Sequence, residues 1–192
     1  MGTSSTSPAP LPKRPQRADA KRNYDKLVAA ARAAFTEADT AASLEDIARR
    51  AGVGIGTLYR HFPTRRVLIE AVYVDEVEAL ARSAQDVAGL DPWEALTTWL
   101  RRFVDYVATK QALTNELFAE GAESNVFASC RSMMYEAGEP LLERAQAAGI
   151  VRTDVTFSDV IHLVAGISKI TPPEPGQAER VFDIALDGLR RV

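Results

Sequence analysis

The run SLEDIARRAGVGIGTLYRHFPTRR, residues 43–66, leaves this chain few choices of local fold. Ser43 suits a helix N-cap, and Asp46 three residues on completes a capping-box pattern. Leu44, Ile47, Ala48 and Ala51 follow at i, i+3, i+4 and i+7, one apolar stripe of a helix. Gly52 stands where that stripe ends, a residue that accepts the left-handed conformation of a C′ position. A second stripe follows at once: Ile55, Leu58, Tyr59 and Phe62, closed by Pro63. Two short helices joined through a glycine turn of three to four residues form a helix-turn-helix. The expected outer face of the second helix carries Thr57, Arg60, His61 and the Tyr59 hydroxyl, with Arg65 and Arg66 just beyond. These are groups that bond phosphates and base edges, and they form no catalytic constellation. Such a face suits a DNA major groove.

Charge places that pair in a larger unit. The net charge of −3 by itself disfavours nucleic acid, but its distribution does not. Residues 1–66 hold 12 Lys and Arg against 6 Asp and Glu, whereas residues 67–192 hold 11 against 20. A basic head on an acidic body is the asymmetry of a DNA-binding module joined to something else. The single cysteine, Cys130, excludes an intrachain disulfide and is expected to be a small buried hydrophobe. Two His and one Cys, far apart, give no metal-ligand spacing, and no cofactor is expected. No membrane span and no signal peptide are read, so a cytoplasmic location is expected.

The periodicity along the chain is helical throughout, with no alternating strand pattern, and predicts an all-α protein of about nine helices. Residues 1–16 are rich in Ser, Thr and Pro and read as a disordered tail; Lys13, Arg14 and Arg17 either help hold DNA by charge or only solubilise. A helix over about 19–38 carries Leu27, Val28, Ala31 and Phe35 on one face and Lys21, Arg22 and Lys26 near its start. With the helix pair it makes a head over 17–66, whose core is expected from Phe35, Leu44, Ile47, Leu58 and Phe62. The body, 67–192, begins with a long connector helix over about 64–88. Helices are then expected over 92–110 from Asp91-Pro92, over 113–119, and over 123–148 with a kink or break at Gly138 and Pro140. After an extended link at 150–155, Thr156 and Asp159 form a second capping-box pattern opening a helix to about Ile170, and a last helix spans 176–191.

The string AGVGIGTLYRHFPTRRVL closely resembles the N-terminal signature of TetR-family transcriptional regulators. The helix with Phe35, the SLEDIARRAG helix and the long helix after FPTRR match that family in order and spacing. The likeness is specific over about residues 20–72; beyond them it extends only to size, helix count and two final apolar helices. One position departs: the family often has Ser or Thr where this chain has Gly54, which costs a helix cap only a few tenths of a kcal/mol but removes one phosphate contact. The resemblance implies that Ile55, Gly56, Thr57, Tyr59, Arg60, His61 and Arg65 touch DNA. Thr57, Tyr59, His61 and Arg65 would serve phosphates, and Arg60 would read guanine O6 and N7. It implies a homodimer through about 157–191 and a small-molecule pocket in the body. Candidates to line that pocket are Trp99, Phe103, Tyr106, Phe127, Met133, Met134 and His162, the last of which also reads as a hydrogen-bonded core or interface histidine. The function implied is a repressor released from a palindromic operator by a ligand. The alternatives are a small-molecule-binding helical protein with a vestigial DNA-binding head, and an all-α enzyme, for which Glu116 and Glu120 at i, i+4 would be weak candidates.

Overall fold

A computed structural model describes residues 14–36, 42–119, 126–168 and 174–191. Expectations for residues 1–13, for most of the 37–42 link, for Glu120, for the stop near Gly121, for the helix start at Glu123 and for the turn at 171–173 lie outside the described residues. The helices are α1 (Ala18–Thr36), α2 (Leu44–Arg50), α3 (Ile55–His61), α4 (Arg65–Asp86), α5 (Pro92–Ala119), α6 (Val126–Ala147), α7 (Phe157–Ile167) and α8 (Gln177–Asp187). The protein is all-α, as the patterning predicts. Extended pairing among the described residues is a single antiparallel bridge between Val151 and Arg190, which ties the 150–155 link to the segment that follows α8.

Eight helices stand among the described residues where about nine are expected. Two expected helices, 92–110 and 113–119, are one continuous α5. The segment Thr109-Lys110-Gln111 contains neither Gly nor Pro, so nothing forces a break, and Leu113 is fully buried one heptad after buried Tyr106. The break expected in the next helix is also absent: α6 runs through Gly138 and Pro140. Gly138 has a packing reason instead. A Cβ there would lie 2.4 Å from the Phe157 ring and 2.6 Å from the Trp99 ring. The missing side chain lets two aromatic rings press on the α6 backbone.

The described helices form two compact units, one of residues up to Glu76 with 109–131, the other of 77–108 with 132–192. Helices α4, α5 and α6 each contribute residues to both. In the first unit α1 packs on α2 and α3. Its core takes Tyr24, Leu27, Val28, Ala31, Phe35, Ile47, Ala48, Leu58 and Phe62, all buried. Leu44, expected in that core, is only half-buried at the first position of α2. Arg32 on α1 donates to Asp75 on α4 at 2.5 Å and also pairs with Glu76. Arg14, assigned by composition to the tail, bonds Asp25 at 2.8 Å and Asp75 at 3.2 Å. Burial raises the Glu76 carboxyl above its ordinary range, against the opposing pull of Arg32.

The second unit is organised on Trp99, which has no exposed surface. Its indole N–H donates to the Leu80 carbonyl at 3.1 Å, satisfying the polar atom that its burial would otherwise strand. Phe103 stacks beside it, with ring centroids 6.1 Å apart, and Phe157 tilts against it at 5.9 Å. Arg144 on α6 closes the turn after α4 by donating to the carbonyls of Ala88 and Leu90. The capping box opening α7 is complete: the Asp159 N–H donates to Thr156 Oγ1, and the Thr156 N–H donates to Asp159.

Candidate nucleic-acid interface

The turn between α2 and α3 is built by backbone bonds that only a left-handed residue permits. Ser43 caps α2, its hydroxyl accepting from the Asp46 N–H at 3.1 Å and donating to the Asp46 carboxylate at 2.9 Å. At the other end Gly52 has φ +63°. Its N–H bonds the Arg49 carbonyl and the Val53 N–H bonds the Ala48 carbonyl, the two links of a Schellman motif. Gly54 then caps α3 with extended backbone, φ −65° and ψ 142°, and offers no side chain to it. Its carbonyl accepts from the N–H groups of Thr57 and Leu58.

The apolar stripe expected on α3 divides in the structure. Leu58 and Phe62 are buried in the three-helix core, whereas Ile55 is 38% and Tyr59 45% exposed. Burial of two residues, one per turn, suffices to seat so short a helix, which leaves Ile55 and Tyr59 as an i, i+4 row on the outside. Gly56 and Arg60, both exposed, make the adjacent row. Arg60 is folded along its own helix, donating to the Gly56 carbonyl and to Thr57 Oγ1, each at 3.2 Å. Lys21, Arg22, Lys26, Arg49 and Arg50 are also exposed on this unit.

Two predicted site residues are turned partly inward. His61 is half-buried, its ring edge-on to Tyr24 at 6.1 Å and beside Phe62 at 6.1 Å. Burial first, and the charge of Arg60 second, hold its pKa below the ordinary 6.5. In the unbound chain this favours the uncharged imidazole. The Arg65 guanidinium lies 5.1 Å over the Phe35 ring and donates to the Ala42 carbonyl, bracing the start of α4 against α1 and the entry to α2. Tyr24 was missed as a site residue. It continues the α1 stripe at 24, 27, 28, 31 and 35, and it packs on Phe62 at 4.9 Å, so it holds the end of α3 in place.

The seven pocket candidates do not all belong to one compact unit. Trp99, Phe103 and Tyr106 form a buried row along α5, the last two rings 5.8 Å apart. Met134 is buried and Met133 half-buried on α6 in the same unit. Phe127 belongs to the other unit, where its ring meets Tyr73 at 5.0 Å. His162 is exposed and cannot line an interior cavity of this chain. The buried face of α7 is Phe157, Val160, Ile161 and Val164, and position 162 lies a quarter-turn or more outside it. Its Nδ1 lies 2.7 Å from the Ser158 carbonyl. A groove of 290 Å³ in the second unit is lined by Arg101, Val104 and Asp105 of α5, Ile167 and Ser168 at the end of α7, and Ala178, Glu179 and Phe182 of α8. It shares no residue with the candidates. Cys130 is buried. Among the described residues no three His, Cys, Asp or Glu are placed to hold a metal, and no helix is long and apolar enough to cross a membrane.

Known proteins share both parts of this architecture. Residues 27–72 match the family described as bacterial regulatory proteins, tetR family, and residues 91–191 match the transcriptional regulator SbtR-like C-terminal domain. The TetR transcriptional regulator SCO0520 of Streptomyces coelicolor is 43% identical, with a TM-score of 0.74 over 88% of this chain and 99% of that one. A TetR transcription regulatory protein of Mycobacterium vanbaalenii is 35% identical, with a TM-score of 0.76 over 92% of this chain and 100% of that one. The HTH-type transcriptional regulator UidR of Escherichia coli K12 is 32% identical over 107 residues, 54% of this chain; the chain spans about half (49%) of the length of the curated relatives it matches. The three-helix head, the helical body and these matches together place the chain in the TetR family of transcriptional regulators.

Proposed function

We propose that the protein represses transcription as a symmetric dimer on a palindromic operator and lets go when a small molecule binds its body. The observation that carries this is the divided stripe of α3. Leu58 and Phe62 anchor the helix, and Ile55, Gly56, Tyr59 and Arg60 are left facing outward. The helix that carries that face is seven residues long, enough to contact a few base pairs in one major groove. A second copy would present another about 34–36 Å away, or a modest multiple of that distance. The head, 17–66, would supply the DNA contacts, and the body, 67–192, would supply ligand site and dimer seam.

Within the face, Arg60 is the candidate to read guanine, on swinging out from Thr57. Thr57, Tyr59 and His61 would bond phosphates. Trp99, Phe103, Tyr106 and Met134 support an aromatic ligand site of apolar character, and the exposed face of α7 and α8 supports the dimer.

Selection of duplexes from a random pool, followed by gel-shift titration at several salt concentrations, tests the proposal. Affinity should fall steeply with salt as counterions are released. Recovery of no preferred duplex, with no salt-sensitive binding at low ionic strength, overturns it. Arg60→Ala should cost about 1–3 kcal/mol and relax the choice at one position of each half-site.

A further inference from the structure

We infer that Ile55 reads the C5-methyl group of a thymine in each operator half-site. The inference rests on the DNA-binding reading above and adds the chemistry of one position. Ile55 opens α3 and is 38% exposed, although it continues the helical spacing that buries Leu58 and Phe62. It has no donor and no acceptor, so of the groups in the major groove it can match only the thymine methyl.

A lone exposed isoleucine would carry nothing, since single apolar residues are common on surfaces. Its neighbours make the difference. Gly54 and Gly56 flank it, and a Cβ added at either would meet nothing within 4 Å. Both have φ outside the left-handed region, so neither backbone conformation requires glycine. Gly56 lies inside a helix, where glycine costs about 0.8–1.0 kcal/mol relative to alanine. Among the described residues no close approach at Gly56 accounts for that cost. The two absent side chains leave the exposed 38% of Ile55 unobstructed by its chain neighbours, with room for a partner's surface to close over it.

The register fits a shared half-site. Ile55 and Arg60 are five residues apart on α3, about 7.5 Å along the helix axis. That is about two base steps at 3.4 Å each. The thymine read by Ile55 should therefore lie within about three base pairs of the guanine assigned to Arg60.

The test uses the full chain and a duplex recovered by selection. Each thymine of a half-site is replaced in turn by deoxyuridine, which removes only the methyl. At one symmetric pair of positions the wild type should lose about fourfold in affinity per half-site, the loss expected for one buried methyl group. Ile55→Ser should bind thymine and deoxyuridine there equally while keeping its salt dependence. Gly56→Ala should raise the melting temperature and weaken operator binding, opposite movements that a purely structural glycine would not produce. Insensitivity of the wild type at every thymine overturns the inference while leaving DNA binding intact, and so does an undiminished methyl effect in Ile55→Ser. Failure to recover any duplex overturns the DNA-binding reading and this inference together.

Discussion

Gly52→Ala isolates what one backbone angle contributes to the head. At φ +63° a Cβ meets no neighbour, so the strain is conformational and not steric crowding from the fold. A left-handed L-residue costs about 1–2 kcal/mol, and chemical denaturation should show that loss with α2 and α3 still formed in the native state. This position was legible beforehand, because a glycine just past an apolar stripe has few other uses. His61 was legible only as a residue type. Its half-burial against Tyr24 depends on where α1 lies, which no local pattern states. The consequence is a pH dependence. With the folded pKa held below the unfolded value of 6.5, the unfolded chain takes up a proton first as pH falls. The stability His61 contributes is thus present above pH 6.5 and lost as pH falls through the folded pKa. Denaturation midpoints at pH 7.5 and 5.5 should separate more for wild type than for His61→Gln; equal separations would show that another group titrates.

Among the elements, ends were easier to read than interiors. Ser43, Gly52 and Thr156 mark helix ends because caps answer to bonds within one turn of chain. The continuity of α6 answers to partners far away in sequence. Gly138 and Pro140 look like breakers in a string of letters, yet Gly138 is where Trp99 and Phe157 need space. The same distance explains the pocket candidates: seven bulky residues could be named, but which of them face one another depends on how α5, α6 and α7 pack. Gly138→Ala tests that packing. Its Cβ would sit at 2.4 Å from one ring carbon and 2.6 Å from another, on rings that are themselves fully buried. Overpacking of this kind costs about 1–3 kcal/mol, here more than the gain in helix propensity. The variant should melt earlier and lose near-ultraviolet circular dichroism from Trp99. A rise in melting temperature would mean that the rings have somewhere else to go.

At the scale of the molecule, the basic N-terminal part and the acidic remainder suit a protein whose head meets phosphate and whose body does not. A single head with so small a reading face would hold DNA weakly, and joining two multiplies their grip without any new contact. The proposed seam can be probed where it is apolar and uncovered. Ile184 on α8 is 70% exposed, with Phe182 and Leu186 buried on the opposite face of that helix, and Leu163 on α7 is 43% exposed at the edge of the face that buries Val160 and Val164. An aspartate or glutamate at 184 would touch none of the core, so it should leave helix content and the melting of the isolated subunit nearly unchanged. In a dimer closed through α7 and α8 it would place two like charges in an apolar contact. Ile184→Glu should therefore sediment as a monomer at concentrations where wild type is a dimer. Its affinity for a full operator should fall by about two orders of magnitude, towards that for a half-site. Affinity for a duplex carrying one half-site should not change, because α3 is untouched. A dimer that survives the charge would move the seam away from these helices. Loss of half-site binding as well would show that residue 184 matters to the head itself, a connection the burial pattern gives no reason to expect.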